Sequence, residues 1–162
     1  MIRRFNAVGD NLFLISNKLI ENQDVCKLLY YTTKTPLSEP SLTEDQRVGL
    51  LNKNILIVPK VPENDNVKGS YIIVLYDNFV INGRNSEFKE AEILFLVVCP
   101  PEDWIVNEGS LRPFLIMNQI DEMFNGQKLA DIGTLHFMQA ERFVLTPQLT
   151  GYAMTYSTYE FN

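Results

Sequence analysis

The sequence predicts a single α+β domain: a mainly antiparallel sheet of about four to five strands, flanked by an N-terminal helical segment and one long central helix. Three observations predict it. Two long runs, SYIIVLYDNFVI at 70–81 and EAEILFLVVCPP at 90–101, are rich in the β-branched and aromatic residues that suit a pleated, partly buried surface. A helical pattern with start and stop signals follows at 110–126, and two further strand-like runs close the chain at 133–145 and 151–161. The element order reads α-(α)-β-β-β-α-β-β, with the helical segment within 1–50 and the sheet and central helix within 55–162. At 162 residues, 46% of them hydrophobic, the whole chain is long enough for one domain with a real core.

The elements follow in chain order. Asp10 or Asn11 can cap a first helix over 10–21, in which Leu12, Ile15, Leu19 and Ile20 recur at helical spacing. The Asn22-Gln23-Asp24 run can cap a second, short helix carrying Val25, Leu28, Leu29 and Tyr30, broken within 31–36. Residues 36–40 read as linker, and Thr43 with Gln46 has capping-box spacing for a short helical turn ending near Gly49. ILIVP at 55–59 is a brief strand, and the polar, proline-containing run at 60–69 a projecting loop. Asn82-Gly83 favours a turn, but the polar run at 84–90 implies a longer loop before the next strand. Uninterrupted apolar residues from Ile93 to Cys99 imply burial on both faces near the sheet's centre, and Pro100-Pro101 ends the pairing.

Ser110 is the expected N-cap of the central helix, Pro113 fits its first turn, and Gly126 stops it. Leu111, Phe114, Leu115, Ile120, Met123 and Phe124 form its apolar side; Asn118, Asp121, Glu122 and Asn125 form its exposed side. The strand at 133–145 has imperfect alternation, as a bulge would give. In the last strand Tyr152, Met154 and Tyr156 share one face, while Ala153, Thr155, Ser157 and Tyr159 share the other. A hairpin around 146–150 joins the two.

The formal charge is −6, and it is uneven. Residues 85–125 hold eight acids against Lys89 and Arg112, so this stretch carries the whole imbalance while the remaining twelve acids and twelve bases cancel. One reading is solvated loop charge; the other is an acidic surface that repels nucleic acid, because phosphate contacts need clustered Lys and Arg. No apolar run reaches the roughly 20 residues that cross a bilayer, and the first residues lack a signal-peptide pattern, so the chain is read as soluble and unprocessed. Cys26 and Cys99 have no CxxC spacing, and Cys99 sits in the most apolar strand, which suits a reducing compartment without a disulfide.

Chemistry-bearing patterns are few. His136 is the sole histidine, which leaves no His-rich metal site and no distributed triad. Nothing local activates Cys26 as a nucleophile for it. Glu102 and Asp103 beside Trp104 have the residue types of a glycosidase pair, but adjacency in a proline-flanked loop says nothing about spacing across a substrate. The glycines form no phosphate-binding run, and Arg3-Arg4 alone makes no nucleic-acid platform. The sequence is read as a non-enzyme without cofactor or metal.

The strands SYIIVLYDNFVI and EILFLVVCP, the helix SLRPFLIMNQIDEMFNG and the final GYAMTYSTYEF, in this order, give the chain a pattern that resembles the tail-terminator and tail-completion proteins of tailed bacteriophages. The resemblance runs from Asp10 onward and rests on element order rather than a signature motif. It implies a structural protein of the virion's neck region, assembled in the host cytoplasm, that forms a homo-oligomeric ring, commonly a hexamer. Such a ring caps the tail tube protein, joins it to the head connector, and lets DNA pass without specific binding. A ring needs two different complementary patches. The expected contacts to neighbours or tube are Lys60, Glu63, Asp65 and Lys68 in one loop and Arg84, Glu87 and Lys89 in the other; as plain hairpin tips these loops would carry no contact. The expected acidic lumen is Glu90, Glu92, Glu102, Asp103 and Glu108. Another neck or head-completion protein, and a monomeric adaptor or small-molecule-binding domain, are the alternatives.

Overall fold

The computed structural model describes residues 5–60, 69–81, 83–84, 89–107, 109–129 and 133–161. The chain builds α1 (Asn6–Glu21), α2 (Gln23–Tyr30), α3 (Glu44–Val48), β1 (Ile55–Leu56), β2 (Tyr71–Ile81), β3 (Lys89–Cys99), β4 (Ile105–Val106), β5 (Ser110–Leu111), α4 (Arg112–Phe124), β6 (Lys128–Leu129), β7 (Gly133–Thr146) and β8 (Leu149–Phe161). Six strands form one curled sheet in the order β1-β2-β3-β8-β7-β6, antiparallel except for the parallel β1–β2 pair. The small β4–β5 ribbon stands apart. The α+β class and the order of the main elements match the sequence reading, the brief strand β1 included; the added pieces are β4, β5 and β6, two-residue strands too short to leave a period.

Helix α1 starts four residues before the expected Asp10, without a side-chain cap at Phe5. Asn22 caps α2, accepting from the Val25 amide, and Thr43 with Gln46 forms the full capping box of α3. The expected cap of the central helix is corrected: Ser110 pairs in β5, α4 begins at Arg112 behind Leu111, and no side chain caps it. Proline in the first turn removes an amide that would need a cap, so the start survives without one. Gly126, at φ +70°, ends the helix as expected.

The buried face of α4 is Ile116, Ile120 and Phe124, while Phe114, expected to be apolar core, is 44% exposed. Together with Ile15 and Leu19 of α1 and Leu28 and Leu29 of α2, these side chains cover one face of the sheet, against Ile72, Val74, Phe95, Val97, Met154 and Tyr156. The other face carries Ile73, Leu96 and Ala153, with Leu56, Phe143 and Leu145 against them. β3 is therefore buried on both faces from Phe95 to Cys99, as its unbroken apolar run implied. Gly151 of β8 pairs with Val98 of β3, and a Cβ there would run into the Val97 carbonyl.

Register shifts interrupt all three long strand pairs. In β2 the register slips between Asp77 and Val80, and Asn78 takes φ +54°, a left-handed conformation that asparagine tolerates. In β7 it slips between Phe137 and Gln139 and again near Leu145, the imperfection visible in its alternation. The closing turn is tight, with Thr146 paired to Leu149.

Candidate functional site

The molecule's internal anchor is Arg112. Its guanidinium is almost wholly buried, 1% exposed, and donates from Nε to the Asp103 carbonyl at 2.9 Å, from one terminal nitrogen to the Leu28 and Tyr31 carbonyls at 2.7 and 2.8 Å, and from the other to the Thr33 carbonyl at 2.8 Å. Leu28 and Tyr31 lie at the C-terminus of α2, where unpaired carbonyls and the helix dipole both favour a cation. The Ser70 amide donates to the Leu29 carbonyl at 3.3 Å, so the same helix end is tied to the start of β2. Burial raises the Asp103 carboxyl, and the nearby guanidinium opposes that rise. The arginine thus acts as a brace, and sequence reading counted it only as a charge. The signal available was an arginine between Leu111 and Pro113 inside an apolar helix start.

The expected contact residues fall into two groups. Lys60 and Arg84 are exposed at the ends of their loops; Glu63, Asp65, Lys68 and Glu87 lie outside the described residues, and Lys89 opens β3. Of the acids expected in one lumen, the four described fall into two pairs within one chain. Glu90 and Glu92 stand near the start of β3, whereas Glu102 and Asp103 lie past its end, about 30 Å away at 3.3 Å per residue. Glu108 lies outside the described residues.

Sequence reading missed a polar rung that the register assembles. Asp77, Glu92, Ser157 and His136 stand side by side across β2, β3, β8 and β7, on the sheet face away from the helices. Asp77 and Glu92 are directly opposite one another, and the Ser157 hydroxyl is buried with no hydrogen-bond partner among the described residues. Two rungs away the same face is apolar, with Ile73 opposite Leu96 and Leu96 opposite Ala153. Among the described residues no cluster of His, Cys, Asp and Glu has the geometry to hold a metal ion.

Among the described residues, the long strands β2 and β7 are each flanked on their outer side by a strand of only two residues. β1 pairs only with Ile72 and Ile73 of β2, and β6 only with Gly133 and Thr134 of β7. Exposed apolar side chains gather at these two edges. Phe5, Phe79 and Val80 lie at the outer end of β2, where the Phe5 and Phe79 rings meet edge-on at 5.3 Å. Phe137, Met138 and Val144 lie along β7, with Phe114 of α4 packed on Tyr152 of β8 beside them. These seven are the majority of the twelve large apolar residues exposed among the described residues.

Buried titratable groups sit inside the core. Burial pushes the Cys26 thiol from an ordinary 9.0 up to about 11 and the Cys99 thiol up to about 12, and both are free. Burial also raises Tyr156, whose hydroxyl donates to Asp121 at 2.7 Å across α4 and β8. Asp121 is therefore a bonding partner of the sheet rather than plain exposed charge.

A search of curated proteins finds no match. A family model described as YomW matches residues 22–158, from the cap of α2 to the end of the polar rung, leaving α1 outside. The match spans most of the chain, α2, α4 and the sheet included, and the family bears the name of a phage-like gene product, which marks the chain as phage-related: it belongs to the YomW family.

Proposed function

We propose that this phage-related chain is a tail terminator, a virion neck protein that works through its surfaces rather than through catalysis. Copies close into a ring that caps the tail tube, joins it to the head connector and lets DNA through without binding a specific sequence. The observation that carries this reading is the gathering of exposed apolar side chains on two opposite edges of one sheet. Contiguous exposed apolar surface marks interaction sites, and two unlike patches on opposite sides are what a closed head-to-tail ring requires. The family's phage name supports the setting. The order of helices and strands agrees with the resemblance drawn from sequence. Size-exclusion chromatography with light scattering, followed by negative-stain imaging, tests it with and without isolated tail tubes. Rings of several 18.6 kDa chains are expected, either alone or seated on tube ends. A single chain at every concentration, leaving tube ends bare, overturns the proposal.

A further inference from the structure

We propose that the joint between neighbouring copies is a continuation of the sheet itself: the open edge of β7 in one copy takes the outer half of β2 from the next. This rests on the ring reading and names the surfaces that close it.

The backbone of β7 shows where a partner strand is missing. The Leu135 amide and carbonyl face outward and are met by the Gln127 carbonyl and the Gly126 amide, and the outward Phe137 amide is met by the Asn125 side chain at 3.1 Å. Past the bulge, the register with β8 turns the peptide groups of Ala140, Arg142 and Val144 outward. No strand pairs with them among the described residues. Such an edge, unprotected by proline or lysine along 135–146, is a template for strand addition. On the opposite side of the sheet, β1 pairs with β2 at Ile72 and Ile73.

Charge selects a second copy as the occupant. The two outer β2 and β3 segments carry Asp77, Glu90 and Glu92 against the lone base Lys89, whereas β6 and β7 carry Lys128 and Arg142 against the lone acid Glu141. An acidic arm on one side and a basic edge on the other attract between copies. Pairing β7 with its own counterpart about a two-fold axis centred on Glu141 or Arg142 would set like charges opposite one another. The arm-to-edge contact is therefore head-to-tail, the kind of contact that closes a ring when its rotation returns to the first copy.

The test uses two full-length variants, each blocked on one surface. Met138→Lys with Val144→Lys places charge on the β7 edge; Asp77→Lys with Val80→Lys does so on the β2 arm. Circular dichroism first checks that both keep the wild-type fold. Sedimentation is then expected to show each variant alone as a single chain, and an equimolar mixture as a complex of two, since the mixture retains one intact arm and one intact edge. A two-chain complex from the arm variant alone would mean β7 pairs with β7, and overturns the head-to-tail joint. If both variants still assemble as the wild type does, the joint lies elsewhere while the ring survives. If the wild type stays a single chain even with tail tubes present, ring and joint fall together.

Discussion

The end of α2 and the edge of β7 treat the same problem, unpaired backbone groups, in opposite ways. At α2 the exposed carbonyls of a helix terminus are met from inside the molecule, by Arg112 and by the Ser70 amide. At β7 the outward groups of Ala140, Arg142 and Val144 are left facing out, with apolar side chains around them. A buried group without a partner costs about 1–3 kcal/mol, which forces satisfaction in the core; water meets that need at an edge, so an open edge persists until another strand displaces the water. One region holds the fold together, and the other remains available.

Removing the brace is expected to have the largest effect. Arg112→Met fills similar volume but abandons four carbonyl acceptors, and a loss of about 3–5 kcal/mol in chemical denaturation is expected, enough to unfold many domains of this size. Arg112→Lys should recover only part of it, because a single ammonium cannot reproduce the planar fork that reaches carbonyls from both α2 and the Asp103 turn. A variant as stable as wild type would show that α2 is held by its apolar side chains alone.

Gly151→Ala tests the packed end of the sheet next. The added Cβ meets the backbone of β3, which cannot swing away as a side chain would, so a loss of about 3 kcal/mol is expected in thermal or urea unfolding. The same Ala substitution at Gly109, which has open space around its Cβ position but φ +78°, should cost about 1 kcal/mol from backbone strain alone.

The buried thiols give the comparison a pH axis. Both have folded values above the ordinary 9.0, so the native state holds their protons more tightly than the unfolded chain. Their contribution is fully present below pH 9 and is lost as pH rises toward 11 and 12. The melting temperature should therefore fall across that window, less steeply in Cys26→Ala and Cys99→Ala variants. At pH 8 a thiol reagent should label neither cysteine faster than the protein unfolds; rapid labelling would place a thiol at the surface.

The difference between the regions also explains what could be read in advance. The helix caps at Asn22 and Thr43, the doubly buried run ending at Cys99 and the stop at Gly126 follow from local spacing, and the structure has all of them. Arg112 could not be assigned its role, because its acceptors at 28, 31 and 33 lie some eighty residues away. The polar rung was hidden for the same reason: four residues on four strands meet only once two bulges have set the register. Asn78 inside an apolar strand marked one of those bulges, and its meaning depended on the pairing with β3. Charge counting along the chain placed Glu90, Glu92, Glu102 and Asp103 in one group, where geometry separates them by the length of a strand.

The smallest effect expected is a gain. Asp77 and Glu92 face each other across β2 and β3, and like charges directly opposite in a sheet destabilise it. Asp77→Asn keeps the shape while removing one charge, so a stabilisation of about 0.2–1 kcal/mol is expected in the isolated chain, shrinking as salt is added. In the ring the sign should reverse: if the acidic arm meets the basic edge of a neighbour, the same substitution weakens assembly while strengthening the monomer. Denaturation of the dilute protein and sedimentation of the concentrated one separate the two. A substitution that moved both in the same direction would mean that the carboxylate pair serves the fold alone, and that the strain it keeps in the sheet is not maintained for a neighbour.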